Sequence, residues 1–198
     1  LRADPNRQGL LYSGTESGMF VSFDDGSSWN SFQLNLPLVP ITDLAIKNDN
    51  LIASTQGRSL WIIDDLTPIH QITKEIEDSN FHIFSPIDSY RMGKPGWGES
   101  SNAGQNHHNG VEIFFNINKK LIKDSSNISL EFLDDKKQLI KKYSNTDKKN
   151  QLKINGEKNS FVWNMRYNDA KDFDGLIMWA ANLRGPKAVP GSYFVRLN

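Results

Sequence analysis

The chain has 198 residues and carries 23 basic and 23 acidic side chains, so its formal net charge is zero. That length holds one large domain or two small ones, and a content of 37% hydrophobic residues is that of a folded protein rather than a disordered one. Neutrality argues against nucleic acid as the main partner, no apolar run approaches the roughly 18 residues of a membrane span, and the absence of cysteine excludes disulfides, thiolate metal sites and cysteine nucleophiles. The opening Leu1-Arg2-Ala3-Asp4-Pro5 has no initiator Met and reads as the interior of something longer, so a fragment is expected.

From the N-terminus the pattern is one of short strands and tight turns. Leu10–Thr15 is a strand, residues 16–18 turn it, and Met19–Phe23 alternates at period two. Asp24-Asp25-Gly26-Ser27-Ser28 is a second turn, and Trp29 opens a third strand running toward Leu34. A second cycle follows the prolines at 37 and 40: strands over Ile41–Ile46, Leu51–Thr55 and Ser59–Asp64, with turns at 48–50 and 56–58. Tyr12-Ser13-Gly14-Thr15 echoes Ile52-Ala53-Ser54-Thr55 at a spacing of about 40 residues, the period of a propeller blade.

Ser22-Phe23-Asp24-Asp25-Gly26-Ser27-Ser28-Trp29 fits the Asp-box pattern S-x-D-x-G-x-[ST]-W at every defined position. Asp24 is suited to accept hydrogen bonds from turn amides, Gly26 to supply positive φ, and Ser22 and Ser28 to tie the two arms. Trp29 is expected to bury its ring against the next layer. The motif predicts a fold-stabilising corner and not a catalytic centre.

Charge divides the chain. Residues 1–82 hold 5 basic and 11 acidic side chains, residues 83–109 hold 2 of each, and residues 110–198 hold 16 and 10. The shift crosses a Gly/Asn/Ser/Pro-rich stretch, so three segments are expected: 1–82, a linker over 83–109, and a second module over 110–198.

In that module Gly110–Ile117 and Ser126–Leu133 alternate, Asp134–Lys137 turns, and Leu139–Tyr143 returns. Phe161, Trp163 and Met165 share one face of a further strand. Pro190-Gly191 is a type II turn dipeptide before the final alternation Tyr193, Val195, Leu197. About six short strands in about 90 residues suggest an immunoglobulin- or fibronectin-III-like β-sandwich. Trp163, Trp179 and Tyr193 are read as core residues rather than a sugar platform.

On these residues the chain resembles the C-terminal part of bacterial exported Asp-box (BNR repeat), sortilin-like propeller proteins, a group related to glycosyl hydrolases. Residues 10–36 are similar to the last complete repeat, and Thr55-Gln56-Gly57-Arg58-Ser59-Leu60-Trp61-Ile62-Ile63-Asp64-Asp65-Leu66 to the closing segment, with Gln56 where His is usual. Residues 159–167 and 185–197 are similar to the tail. The resemblance implies an all-β chain, the last blades of a propeller followed by a sandwich, in a protein that is secreted, periplasmic or on the cell surface. The missing blades are then its first partners. Two blades cannot close a ring, so bare faces are expected to pack on the sandwich or to drive self-association.

Catalytic candidates are few. Glycoside hydrolysis needs two carboxyl groups about 5–9.5 Å apart across a sugar. The acidic pairs here, Asp24/Asp25, Asp64/Asp65 and Asp134/Asp135, are neighbours whose side chains diverge on a strand. Asp43, Arg58 and Trp97 are the residues expected to face a ligand. His107-His108 lacks a third ligand at useful spacing, so no metal and no cofactor is expected. The function that follows is non-catalytic glycan or protein recognition or scaffolding. The alternative is the accessory end of a sialidase- or xyloglucanase-like hydrolase whose carboxylates lie in the missing blades.

Overall fold

The computed structural model describes residues 1–92, 107–123, 125–171, 173–180 and 182–198. The chain divides into two units, Leu1–Ile72 and Thr73–Asn198. Both consist of small antiparallel sheets with a few short helices, and among the described residues none of the four sheets closes.

In the first unit β1 (Arg2–Ala3), β2 (Leu11–Thr15), β3 (Gly18–Ser22) and β4 (Asn30–Ser31) form a four-stranded meander in chain order. A second meander follows from β5 (Ile41–Lys47), β6 (Asn50–Thr55) and β7 (Leu60–Ile63). Alternation places Tyr12 opposite Val21 in one sheet and Leu44 opposite Ala53 in the other. These four join Leu10, Met19, Leu36, Leu51 and Leu66 in one buried apolar cluster. Each of the larger side chains contributes about 1.5–3 kcal/mol on burial. Helix α1 (Thr67–Gln71) follows, with Pro68 in its first turn, where a missing amide costs nothing.

The third strand is shorter than the sequence predicts. Pairing with β3 stops near Phe32, because the Gln33 side chain takes over the next positions. Its Oε1 accepts the Met19 amide at 3.1 Å, and its Nε2 donates to the carbonyls of Leu36 and Pro37. Leu34 then adopts a left-handed conformation, φ 45°, that no strand continues.

The second unit begins with α2 (Lys74–Glu77), capped by the Thr73 hydroxyl. Strand β8 (Phe81–Ile83) pairs with β9 (Val111–Ile117), which pairs with β12 (Lys158–Trp163). The start of the expected 83–109 linker therefore lies in a sheet, and residues 93–106 fall outside the described residues. After a 3-10 turn at Lys119–Leu121, β10 (Ser129–Leu133) forms the centre of a further sheet between β11 (Leu139–Ser144) and β13 (Phe194–Leu197).

Both sheets feed one cluster. Ile113, Phe115 and Ile117 come from β9, Leu130 and Phe132 from β10, Ile140 from β11 and Trp163 from β12. The rings of Phe132 and Trp163 stack at 4.6 Å and 16°. Met165 joins the same cluster, but beyond the end of β12 and at φ 56°, so the shared strand face that the sequence predicts stops at Trp163. The expected type II turn at Pro190-Gly191 does not form, because Gly191 lacks the positive φ that its third position requires.

Candidate functional site

The Ser22–Trp29 corner is held almost entirely by its own side chains. The Ser28 amide and hydroxyl donate to Asp24 Oδ1 and Oδ2 at 2.8 and 2.6 Å, and the Ser22 hydroxyl donates to Oδ1 at 2.8 Å. Ser22 Oγ in turn accepts the Gly26 amide at 2.9 Å. Asp25 and Gly26 both have positive φ, 58° and 88°, so glycine is needed at the second. The hydrogen bonds from Ser28, then that from Ser22, lower the Asp24 carboxyl from 3.8 to about 2. Trp29 departs from expectation: it is 40% exposed. Its ring edge lies over Gly26, where a methyl group would stand 3.7 Å from Cζ2, so it lies along the hairpin instead of entering the core.

The expected ligand-facing residues do not converge. Asp43 lies beside an irregularity in the β5–β6 register, and its Oδ1 accepts Arg2 Nη2 at 2.7 Å in an exposed ion pair. Arg58 sits in the β6–β7 turn with its side chain exposed, while its carbonyl accepts the Trp61 indole N–H at 2.9 Å. Trp97 lies outside the described residues. Of the three acidic pairs, Asp24, Asp65 and Asp134 each accept amides within their own turns. His107 Nδ1 lies 3.0 Å from the His108 carbonyl, and among the described residues no group of three or more His, Cys, Asp or Glu could hold a metal ion.

A buried polar cluster in the first unit had no counterpart in the sequence reading. Asp4 is buried, and its Oδ1 accepts the amides of Asn6 and Arg7 at 2.8 and 3.1 Å. Its Oδ2 accepts the Tyr12 hydroxyl at 3.2 Å and lies 2.8 Å from His70 Nε2. Arg7 reaches the Ile69 carbonyl, and Asn6 donates to Asp49 at 2.6 Å. Burial, then the neighbouring Asp4 charge, pushes the Tyr12 phenol far above its ordinary range. The cluster ties α1 to the β1–β2 connection and meets the rule that buried charges are partnered. Its members are up to 66 residues apart, so no local pattern announces it.

In the second unit Glu131 stands between two cations on neighbouring strands. Arg196 donates from Nε and Nη2 to Oε2 at 3.0 and 2.7 Å, and Lys142 Nζ lies 3.1 Å from Oε1. The Arg196 hydrogen bonds, chiefly, hold the Glu131 carboxyl below its usual value. Asp169 is lowered first by the Gly185 amide, and the buried Lys141 ammonium lies 3.9 Å from it.

The aromatic residues separate. Trp163 is buried and meets Tyr193 edge-on at 5.6 Å, bordering a cleft of about 680 Å³ flanked by Pro86–Arg91 and Val189–Val195. Trp179 is fully exposed, at 101%, and Ile177 is 93% exposed. Trp179 is therefore no core residue. The segment is turned at Phe173–Leu176, with Gly175 at φ 84°, and continues without a strand partner among the described residues.

No helix among the described residues is long and apolar enough to cross a membrane. The chain matches no known family profile, no curated protein and no solved structure.

Proposed function

We propose that this chain is a non-catalytic recognition or scaffolding piece of an exported, sortilin-like Asp-box protein. In this reading the first unit supplies closing propeller blades and the second an immunoglobulin- or fibronectin-III-like sandwich. Two successive antiparallel meanders and an aspartate committed to its own turn support the first half. Two three-stranded sheets sharing one apolar cluster support the second. The outer positions of β7, Leu60 and Ile62, are exposed, as a face that meets another blade or a second copy would be.

The observation that carries the recognition role is the bare apolar segment around Ile177 and Trp179. Contiguous exposed apolar groups mark interaction sites, and a free indole face suits a sugar ring or an apolar protein surface. The test is to incubate the 198-residue chain with neutral polysaccharides and to measure both binding and new reducing ends. Binding that Trp179→Ala weakens, without release of reducing ends, is the expected result. Turnover would overturn the reading in favour of a hydrolase.

A further inference from the structure

We infer that one loop end of the second unit is a docking face for an acidic polysaccharide. Two loops build this end, described over residues 118–123, 125–127 and 145–150. Asn145 laces them together: its Nδ2 donates to the Ser126 carbonyl at 2.7 Å and its Oδ1 accepts the Ile128 amide at 3.0 Å. Ser126 Oγ donates to the Leu121 carbonyl at 2.7 Å, and the Lys119 amide reaches Glu157 Oε1 at 3.3 Å.

The two loops carry five lysines, Lys119, Lys120, Lys123, Lys148 and Lys149, against two aspartates. All five lysines are exposed, and none forms an ion pair with a carboxylate among the described residues. By contrast Lys141 and Lys142, on the adjoining strand, face Asp169 and Glu131. Asp147 lies among them, held ionised by the amides of Lys149 and Asn150 on its Oδ1 at 2.8 and 3.2 Å, and it offsets only part of the lysine charge. Same-sign charge gathered at one end costs self-repulsion and raises the local concentration of an anionic ligand.

The chemistry of the loops selects the polyanion. Single-stranded nucleic acid is held by bases stacked on aromatic rings, and these loops contain no aromatic residue. The duplex major groove is read by an α-helix or a two-stranded ribbon, and the described residues of this face form loops and one 3-10 turn. The loops also contain no arginine, the residue suited to bidentate capture of phosphate. Lysine ammonium groups are strongly hydrated point charges, a match for spaced carboxylates on a hydrated polymer. The inference rests on the recognition reading only in taking the ligand to be a glycan.

The test measures binding of the whole chain to polygalacturonate, with neutral dextran, duplex DNA and phosphatidylserine vesicles as comparisons. The expected result is polygalacturonate binding that weakens roughly ten- to a hundredfold between about 50 and 200 mM salt, on the scale of a few released counterions. It is lost when all five lysines become glutamine and kept when Lys136→Gln and Lys137→Gln are made in the turn between β10 and β11. Far-ultraviolet circular dichroism establishes that both variants fold. Absence of binding at low salt, equal binding by the five-fold variant, or tighter binding of DNA or vesicles would overturn the inference. Release of reducing ends in the same samples would count instead against the non-catalytic reading.

Discussion

Ser28 holds Asp24 through both carboxylate oxygens, its amide on Oδ1 at 2.8 Å and its hydroxyl on Oδ2 at 2.6 Å. These bonds favour the ionised carboxylate and lower it from 3.8 to about 2. A carboxyl depressed by folding stabilises above its unfolded value and loses that contribution as pH falls through the folded one. The urea midpoint of the native chain should therefore exceed that of Asp24→Asn at neutral pH, with the gap closing between about pH 4 and pH 2. A gap that stays constant over that window would show that the charge of Asp24 plays no part in the corner.

Asp4 gathers Tyr12, His70 and two amides around one buried carboxylate. Asp4→Ala leaves all of these donors without their acceptor and should cost about 2–4 kcal/mol in urea unfolding. Tyr12→Phe removes one hydroxyl from a site that stays occupied, and should cost only about 1 kcal/mol. Equal losses in the two variants would argue that the ring, and not the carboxylate, organises the cluster.

Gly14 on β2 lies against Ile41 on β5, and a Cβ there would stand 2.7 Å from Ile41 Cβ. That atom is fixed to the backbone, so relief requires the two sheets of the first unit to move apart. Gly14→Ala should lower stability by about 1–3 kcal/mol, read from chemical denaturation. Gly14→Ala combined with Ile41→Ala should recover part of that loss, because the second change removes Ile41 Cγ2, which the new methyl would meet at 2.5 Å.

Across β10 and β13, Glu131 and Arg196 are directly paired in register. The Glu131 side chain is nearly buried and the Arg196 side chain largely exposed. Glu131→Gln should therefore cost more than Arg196→Gln, about 1–3 kcal/mol against about 1, since Lys142 remains to partner the buried carboxylate. A double-mutant cycle should return a coupling of about 1 kcal/mol, and a coupling near zero would mark the pair as incidental.

Much of the fold was legible because the strands announce themselves locally. Residues 11–15, 18–22, 41–47 and 50–55 alternate between glycine, asparagine and aspartate turns, and β9 to β13 do the same. The Asp24 corner was legible for the same reason, since its side-chain hydrogen bonds all span four residues or fewer. Strands β1 and β8 were not, having only two and three residues, and the partner of β8 lies more than 30 residues along the chain. Helix α1 has five residues, too few to show a helical period. The Asp4–His70 contact and the opposite fates of Trp163 and Trp179 depend on tertiary packing, which no window of sequence contains.

Affinity electrophoresis of the whole chain and its Trp179→Ala variant through gels holding single neutral polysaccharides, with reducing ends assayed in the same lanes, tests recognition without turnover most directly. Retardation of the native chain on at least one polymer is predicted, with mobility restored in the variant and no new reducing ends. Release of reducing ends, or identical mobility of both proteins on a retarding polymer, would contradict it.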